Sequence, residues 1–301
     1  MTGSQRWSRM SSDAPVIVLG AAGQLGRALT ALLDDRCVGL TRSQLDLAQP
    51  SRVVSCLDRL GPSSVINAAA YTQVDKAEEE EGQAFQINAQ APGLIARWCA
   101  KAGVPFLHFS TDYVFPGTGI RPWTESDSVA PVNAYGRTKA EGEKQVAEAG
   151  GRWLVLRTSW VYSLAGKNFL NTILRLATER EVLNIVDDQH GAPTFASDLA
   201  EAAITALEQA MSAREFPAGV YHVCNSGETT WHGFAKAIIE EATARGMSLK
   251  VDKLNAIPTS AYHTPARRPL NCRLNTDKAR SVLGLALRDW RSGLARCMER
   301  L

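Results

Sequence analysis

The stretch Pro15-Val16-Ile17-Val18-Leu19-Gly20-Ala21-Ala22-Gly23-Gln24-Leu25-Gly26, running on into Arg27-Ala28-Leu29-Thr30-Ala31-Leu32-Leu33, carries the strongest architectural signal in the chain. Its first residues are apolar, β-branched and bounded by turn formers, the composition of a buried strand. Its last seven have the composition of a helix. The glycines between them permit a tight turn and let backbone amides approach a pyrophosphate at the helix N-terminus. Their spacing is G-x-x-G-x-x-G, not the G-x-G-x-x-G of most dehydrogenases. With a strand before and a helix after, it still predicts a dinucleotide-binding turn built on Gly20, Gly23, Gln24 and Leu25.

Outward from this unit the chain alternates. Strand-like runs fall at 16–19, 37–40, 64–67, 104–109 and 153–157, and helical ones at 24–34, 50–60, 84–102 and 134–148. A further helix is expected over 197–210 and a strand over 220–223. Such alternation predicts an α/β fold, a Rossmann-type doubly wound parallel sheet covered on both faces. The acidic run Glu78-Glu79-Glu80-Glu81 is expected to be the solvated first turn of a helix starting near Gly82.

The chain has 301 residues and a net charge of +2, with charges mixed along its length. No basic block points to nucleic acid and no apolar run is long enough to cross a membrane. The polar N-terminus is expected to be a flexible tail over 1–14, not a secretory leader. Six cysteines lie scattered without C-x-x-C spacing, which fits a reduced, cytoplasmic protein with mostly structural thiols. The histidines form no zinc-ligand pattern, so no metal is expected.

Tyr135-Gly136-Arg137-Thr138-Lys139 places a phenol and an ammonium four apart, on one face of a helix. A nearby cation favours the phenolate and lowers the phenol's pKa, so the pair can deliver a proton to a carbonyl oxygen. Thr111, in Ser110-Thr111-Asp112-Tyr113-Val114-Phe115, sits at a strand's carboxyl end, where doubly wound sheets bind ligands. A simple cap is the plainer reading of that threonine. In Ser64-Val65-Ile66-Asn67-Ala68-Ala69-Ala70-Tyr71 a strand ends in Ala68, Ala69 and Ala70, small enough for a cofactor to lie against the backbone. After the second strand comes Thr41-Arg42-Ser43, with no acid before Asp46. An acid there selects NAD, whereas an arginine such as Arg42 accommodates a 2′-phosphate. NADPH is therefore the expected cofactor, with NADH also accepted.

Gly23-Gln24-Leu25-Gly26, Asn67-Ala68-Ala69-Ala70-Tyr71-Thr72, Ser110-Thr111-Asp112-Tyr113-Val114-Phe115 and Tyr135-Gly136-Arg137-Thr138-Lys139 resemble the dTDP-4-dehydrorhamnose reductase family. So do Arg157-Thr158-Ser159-Trp160-Val161-Tyr162, Asp188-Gln189-His190-Gly191-Ala192-Pro193-Thr194, Pro258-Thr259-Ser260-Ala261-Tyr262 and Ala266-Arg267-Arg268-Pro269-Leu270-Asn271, in one register over roughly residues 15–300. The family are extended short-chain dehydrogenases. The resemblance implies NAD(P)H-dependent reduction of dTDP-4-dehydro-L-rhamnose to dTDP-L-rhamnose, the last step in making a sugar donor for cell-surface polysaccharide. It implies a dinucleotide-binding domain over 15–163 and 196–226, and a smaller substrate domain over 164–195 and 227–301. Catalytic roles would fall on Thr111, Tyr135 and Lys139. Asp46 and Leu47 would touch the adenine, unless Asp46 is a helix cap. Thr111, Asp112, Trp160, Asn168, Pro193, Thr194 and Arg268 would meet the sugar nucleotide, with Arg268 on the diphosphate and Lys167 to Phe169 on the nucleotide half. Trp160 is alternatively a core tryptophan, and Trp231 is read as packing.

Some relatives are described as dimers bridged by Mg²⁺ through an acid early in the first helix. Here that helix has no acid before Asp34, so no metal requirement and no such bridge are expected; the chain would be a monomer or homodimer. Two other functions stay open: reduction of another nucleotide-linked 4-keto-6-deoxy sugar, and a non-catalytic regulatory subunit of the methionine adenosyltransferase type.

Overall fold

The computed structural model describes residues 14–301, so the expected tail over 1–14 lies outside the described residues save for Ala14. Strands β1 (Val16–Leu19), β2 (Cys37–Leu40), β3 (Ser64–Asn67), β4 (Phe106–Thr111) and β5 (Trp153–Thr158) join the strand Gly219–His222 in one six-stranded sheet. Every pairing in it is parallel, and β1 lies between β2 and β3. The chain therefore reverses its winding at β1, and the crevice outside the carboxyl ends of β1 and β3 is where such sheets bind ligands.

Alternate residues of the strands feed two cores. On one face Val16, Val18, Leu107, Phe109, Leu154 and Leu156 pack with α1 (Gln24–Leu33) and the helix Ala196–Ser212. On the other Ile17, Leu19, Val65, Phe106 and Val155 pack with α2 (Pro50–Leu60), the helix Ala91–Ala102 and Val146 of the helix Ala134–Ala149. A third cluster holds Tyr162, Ile173, Phe195, Phe234 and Trp290 away from the sheet. Ala279, Leu283 and Leu285, which the sequence assigns to the substrate domain, pack into the first core instead.

Two local readings change. The predicted helix 84–102 is a short helix, Glu81–Phe85, followed by a π turn, Gln86–Gln90, and only then the helix Ala91–Ala102. The π turn aims Asn88 inward, where it is fully buried. The acidic run is not simply solvated. Glu78 accepts the Ala134 N–H at 2.8 Å, Glu80 accepts the Tyr71 hydroxyl at 2.6 Å, and Glu81 pairs with Arg137 at 2.9 Å. Two of the four acids, Glu78 and Glu81, thus anchor the start of the helix that carries Tyr135 and Lys139, and Glu80 holds the Tyr71 loop.

Candidate active site

A cavity of about 1000 Å³ opens over the carboxyl ends of β1, β3 and β4. Gly20, Gly23, Gln24 and Leu25 line it at the head of α1. Gly20 has φ +79°, and a side chain there would strike the Ala69 backbone; one on Gly26 would collide with the Gly20 carbonyl oxygen. These contacts are why glycine occupies both positions. No side chain caps α1, and its first turn carries no acid, so its positive end faces the cavity unneutralised. That suits a pyrophosphate.

Arg42, Asp46, Leu47, Ala68, Ala69, Ala70, Tyr135 and Lys139 also line the cavity. All twelve residues predicted to touch the cofactor line this one cavity. Asp46 also accepts the Ala48 N–H at 3.0 Å, while Gln49 occupies the cap position of α2. Arg42 is 72% exposed, its Nε 3.8 Å from the Asp46 carboxylate. The volume, the uncapped helix end and the small-residue wall fit a dinucleotide.

Asn88 ties the site together. Its side chain accepts the Tyr71 N–H at 2.8 Å and donates to the Tyr71 carbonyl and the Thr138 hydroxyl, both at 3.1 Å. One buried amide thus fixes the Ala68–Tyr71 loop against the turn before Lys139. A π turn at such a position is a frequent mark of a functional site, and the i, i+4 pattern of the sequence carries no sign of it.

The Tyr135–Lys139 helix is capped by Asn133, whose side chain accepts the Gly136 N–H at 2.8 Å. Lys139 is buried; its Nζ lies 2.6 Å from the Phe109 carbonyl oxygen and 3.1 Å from His108 Nε2. Burial pulls its pKa down to about 8, against the opposing charge of Glu143. Tyr135 is moved the other way: burial first, then the Asp112 charge, raises its pKa, and contact with Thr111 only partly offsets this. The cation-driven lowering expected from the sequence is not what this arrangement produces: burial dominates at Tyr135, and Lys139 Nζ is engaged by His108 and the Phe109 carbonyl.

Thr111 donates its hydroxyl hydrogen to Asp112 Oδ1 at 2.9 Å and accepts the Tyr113 N–H at 3.2 Å. Burial pushes the Asp112 carboxyl up to about 6, against hydrogen bonds from Cys272 and Thr111. None of the seven residues expected on the sugar nucleotide lines the large cavity. Thr111 and Asp112 adjoin Tyr135; the others stand elsewhere. Trp160 has φ +46° and stacks on Trp231, ring centroids 3.8 Å apart. Trp231 therefore does more than pack: it fixes the Trp160 ring and donates to Gln189 Oε1 at 3.0 Å. Asn168 caps the helix Phe169–Glu179 and donates to Gln24 Oε1 at 2.8 Å. Pro193 and Thr194 are buried beside Trp160, whose carbonyl accepts the Thr194 N–H. Arg268 is 17% exposed and paired with Asp75 at 2.7 Å.

The sequence reading missed His108, Asn88, Ser110 and Tyr71, and it placed Lys167 on the substrate side. Ala165, Gly166 and Lys167 instead border the same cavity as the glycine turn, held there by the Ser163 and Asn168 bonds to Gln24. Among the described residues no cluster of three or more His, Cys, Asp or Glu stands ready for a metal ion, and no helix is long and apolar enough to cross a membrane. The six cysteines are unpaired.

A family model described as the RmlD substrate binding domain matches residues 14–301. A dTDP-4-dehydrorhamnose reductase of Burkholderia thailandensis is 44% identical over 295 residues, covering 95% of this chain and 98% of that one. The Escherichia coli reductase of the same name is 44% identical over 292 residues, covering 95% and 97%. Among solved structures, the Bacillus anthracis dTDP-4-dehydrorhamnose reductase in complex with NADP is 33% identical with a TM-score of 0.88, over 96% of this chain and all of that one. The Clostridium acetobutylicum reductase is 31% identical, also at 0.88, over 95% and 99%.

Proposed function

The chain belongs to the dTDP-4-dehydrorhamnose reductase family, and from that premise we propose how its own residues carry out the reaction. The protein is an oxidoreductase that reduces the C4 ketone of dTDP-4-dehydro-L-rhamnose to dTDP-L-rhamnose with NADPH. The observation that carries the reading is the meeting of Tyr135 and Lys139 with the glycine turn in one cavity. When bound, NADPH supplies the hydride for C4. Tyr135 gives its phenolic proton to the C4 oxygen. Thr111 turns the hydroxyl hydrogen it now places on Asp112 toward that oxygen and stabilises the developing charge. Lys139 holds the nicotinamide ribose. Raised above its ordinary pKa, Tyr135 stays protonated through the physiological range, as a proton donor must.

The two-lobed division proposed from the sequence leaves the sugar nucleotide between the sheet's carboxyl edge and the segments around Trp160, Pro193 and Thr194. We place the protein in the cytoplasm, where thymidine-linked sugars and NADPH are found, acting as a monomer or homodimer. The direct test is NADPH oxidation with dTDP-4-dehydro-L-rhamnose against its UDP analogue. Turnover on neither would overturn the reading, and equal turnover on both would move it to a broader reductase.

Arg268 needs its Asp75 partner released, or shared, before it can clamp a diphosphate. Arg268→Ala should raise the KM for the sugar nucleotide, the loss of a charged hydrogen bond costing about 1.5–3 kcal/mol. Asp75→Asn keeps the guanidinium and should leave KM unchanged or lower it. If both substitutions raise KM alike, the pair is a structural tie and Arg267 becomes the residue to test.

Arg42 bears on the cofactor. If it meets the 2′-phosphate, Arg42→Ala should reduce kcat/KM for NADPH roughly tenfold or more while sparing NADH. Steady-state kinetics with both cofactors reads this directly, and an equal loss for the two removes Arg42 from the cofactor site.

A further inference from the structure

Lys139 ends a buried hydrogen-bond chain that starts on the cofactor-side loop. The Ala69 backbone N–H, a donor at any ordinary pH, gives its hydrogen to Asn67 Oδ1 at 3.1 Å. This orients the Asn67 amide, so that its NH₂ faces His108 Nδ1 at 3.1 Å. An amide NH₂ only donates, so Nδ1 accepts. His108 is fully buried, and burial holds its pKa well below the usual value, so the ring is neutral. A neutral imidazole that accepts at Nδ1 carries its hydrogen on Nε2. That hydrogen points at Lys139 Nζ, 3.1 Å away.

An ammonium has three donors and no acceptor, so a charged Lys139 would set donor against donor here. A neutral amine satisfies every group: its lone pair takes the Nε2 hydrogen, and one of its own hydrogens goes to the Phe109 carbonyl at 2.6 Å. The reverse orientation, with an ammonium donating to Nε2 and Nδ1–H donating to a turned Asn67, leaves the Ala69 N–H facing the NH₂ of Asn67. The observed bonds therefore select the neutral amine.

We propose that His108 is a positioning residue that, in this arrangement, holds Lys139 as a neutral amine, and that NADPH binding is accompanied by uptake of a proton at Lys139 Nζ. The new N–H bond forms with a proton from solvent. The His108 contact then breaks, since two donors cannot share it, and Nζ turns toward the cavity it already borders. The inference rests on the cofactor reading of that cavity.

The other groups around Lys139 do not reverse this preference. Glu143, one turn along the same helix, favours the charged form, but its carboxylate is already locked to Arg157 of β5 at 2.6 Å. Tyr135 lies one turn back, with Asp112 beyond it at the end of β4, and the π turn presents neutral Asn88 to Thr138. Glu78 and Glu81 are occupied at the helix start by the Ala134 N–H and Arg137. Burial is the leading influence on Lys139, and the His108 N–H acts in the same direction.

Two measurements test this. The first is ¹⁵N NMR of the imidazole of His108 in the full chain without NADPH, between about pH 8.5 and 9.5, above the lysine's depressed pKa of about 8. A protonated Nε2 with an unprotonated Nδ1 is expected; the opposite tautomer, or an imidazolium, overturns the proposal. This readout needs neither cofactor nor turnover, so its failure is distinct from failure of the functional reading. The second is calorimetric titration with NADPH at about pH 8.5 in buffers of different ionisation enthalpy, which counts protons taken up. The native protein should take up most of a proton per NADPH. In His108→Gln, whose amide oxygen accepts from an ammonium, uptake should fall by at least half. Equal uptake in both proteins overturns the proposal, and no NADPH binding at all overturns the cavity reading and the uptake with it.

Discussion

Replacing Tyr135 with phenylalanine is expected to lower kcat by roughly 10²–10⁴-fold, the usual worth of a positioned general acid. The phenol is half-buried, in contact with Thr111, and borders the cavity that the glycine turn opens onto. Phenylalanine keeps the ring and its edge-on contact with Tyr113, whose centroid lies 5.7 Å away, so folding and NADPH binding should change little. The comparison to make is kcat beside the NADPH dissociation constant in the two proteins. Retained turnover would remove Tyr135 from the chemistry. A parallel loss of cofactor binding would make it a wall residue.

The largest effect on stability should come from Glu143→Gln. Glu143 and Arg157 form a bidentate pair, at 2.9 and 2.6 Å, with both side chains almost wholly buried. The guanidinium also lies over the Phe115 ring, 4.9 Å from its centroid, and 3.5 Å from His222, a neutral ring whose pKa burial and Arg157 hold down to about 3. Removing the carboxylate leaves a cation with no counter-charge among apolar and neutral groups. Breaking such a pair costs about 3–5 kcal/mol, and each kcal/mol lowers the melting midpoint of a protein of this size class by roughly 2–4 °C. Calorimetry of the two proteins measures it. A midpoint within a degree of the native one would mean that Arg157 finds water or another partner. Replacing both residues with apolar ones of similar volume should recover most of the loss, because the penalty belongs to the unpaired charge and not to the missing bridge.

The cavity proposed for the cofactor was legible in the sequence because its determinants are local. A strand, a glycine turn and a helix follow one another within twenty residues, and the sheet's parallel winding brings each strand's carboxyl end to the same edge. Gly20, Ala69, Arg42 and Lys139 therefore converge wherever the βα rhythm is read correctly. The sugar half was legible only as resemblance. Trp160 depends for its pose on Trp231, 71 positions later, and Arg268 on Asp75, nearly two hundred positions earlier. No periodicity encodes such pairs.

What the chain's sequence determined by itself was the order of strands and helices, the glycine turn and the residue types that can move a proton. What tertiary structure decided was their protonation. A tyrosine and a lysine four apart imply mutual charge stabilisation when viewed as an isolated helix. In the folded protein the same lysine faces a histidine on β4 whose hydrogen is directed by an asparagine at the end of β3, and the tyrosine faces a buried carboxyl. Burial removes the water that would otherwise level these groups to their ordinary pKa values, so the charge each one carries is set by neighbours that only the sheet's register brings within reach.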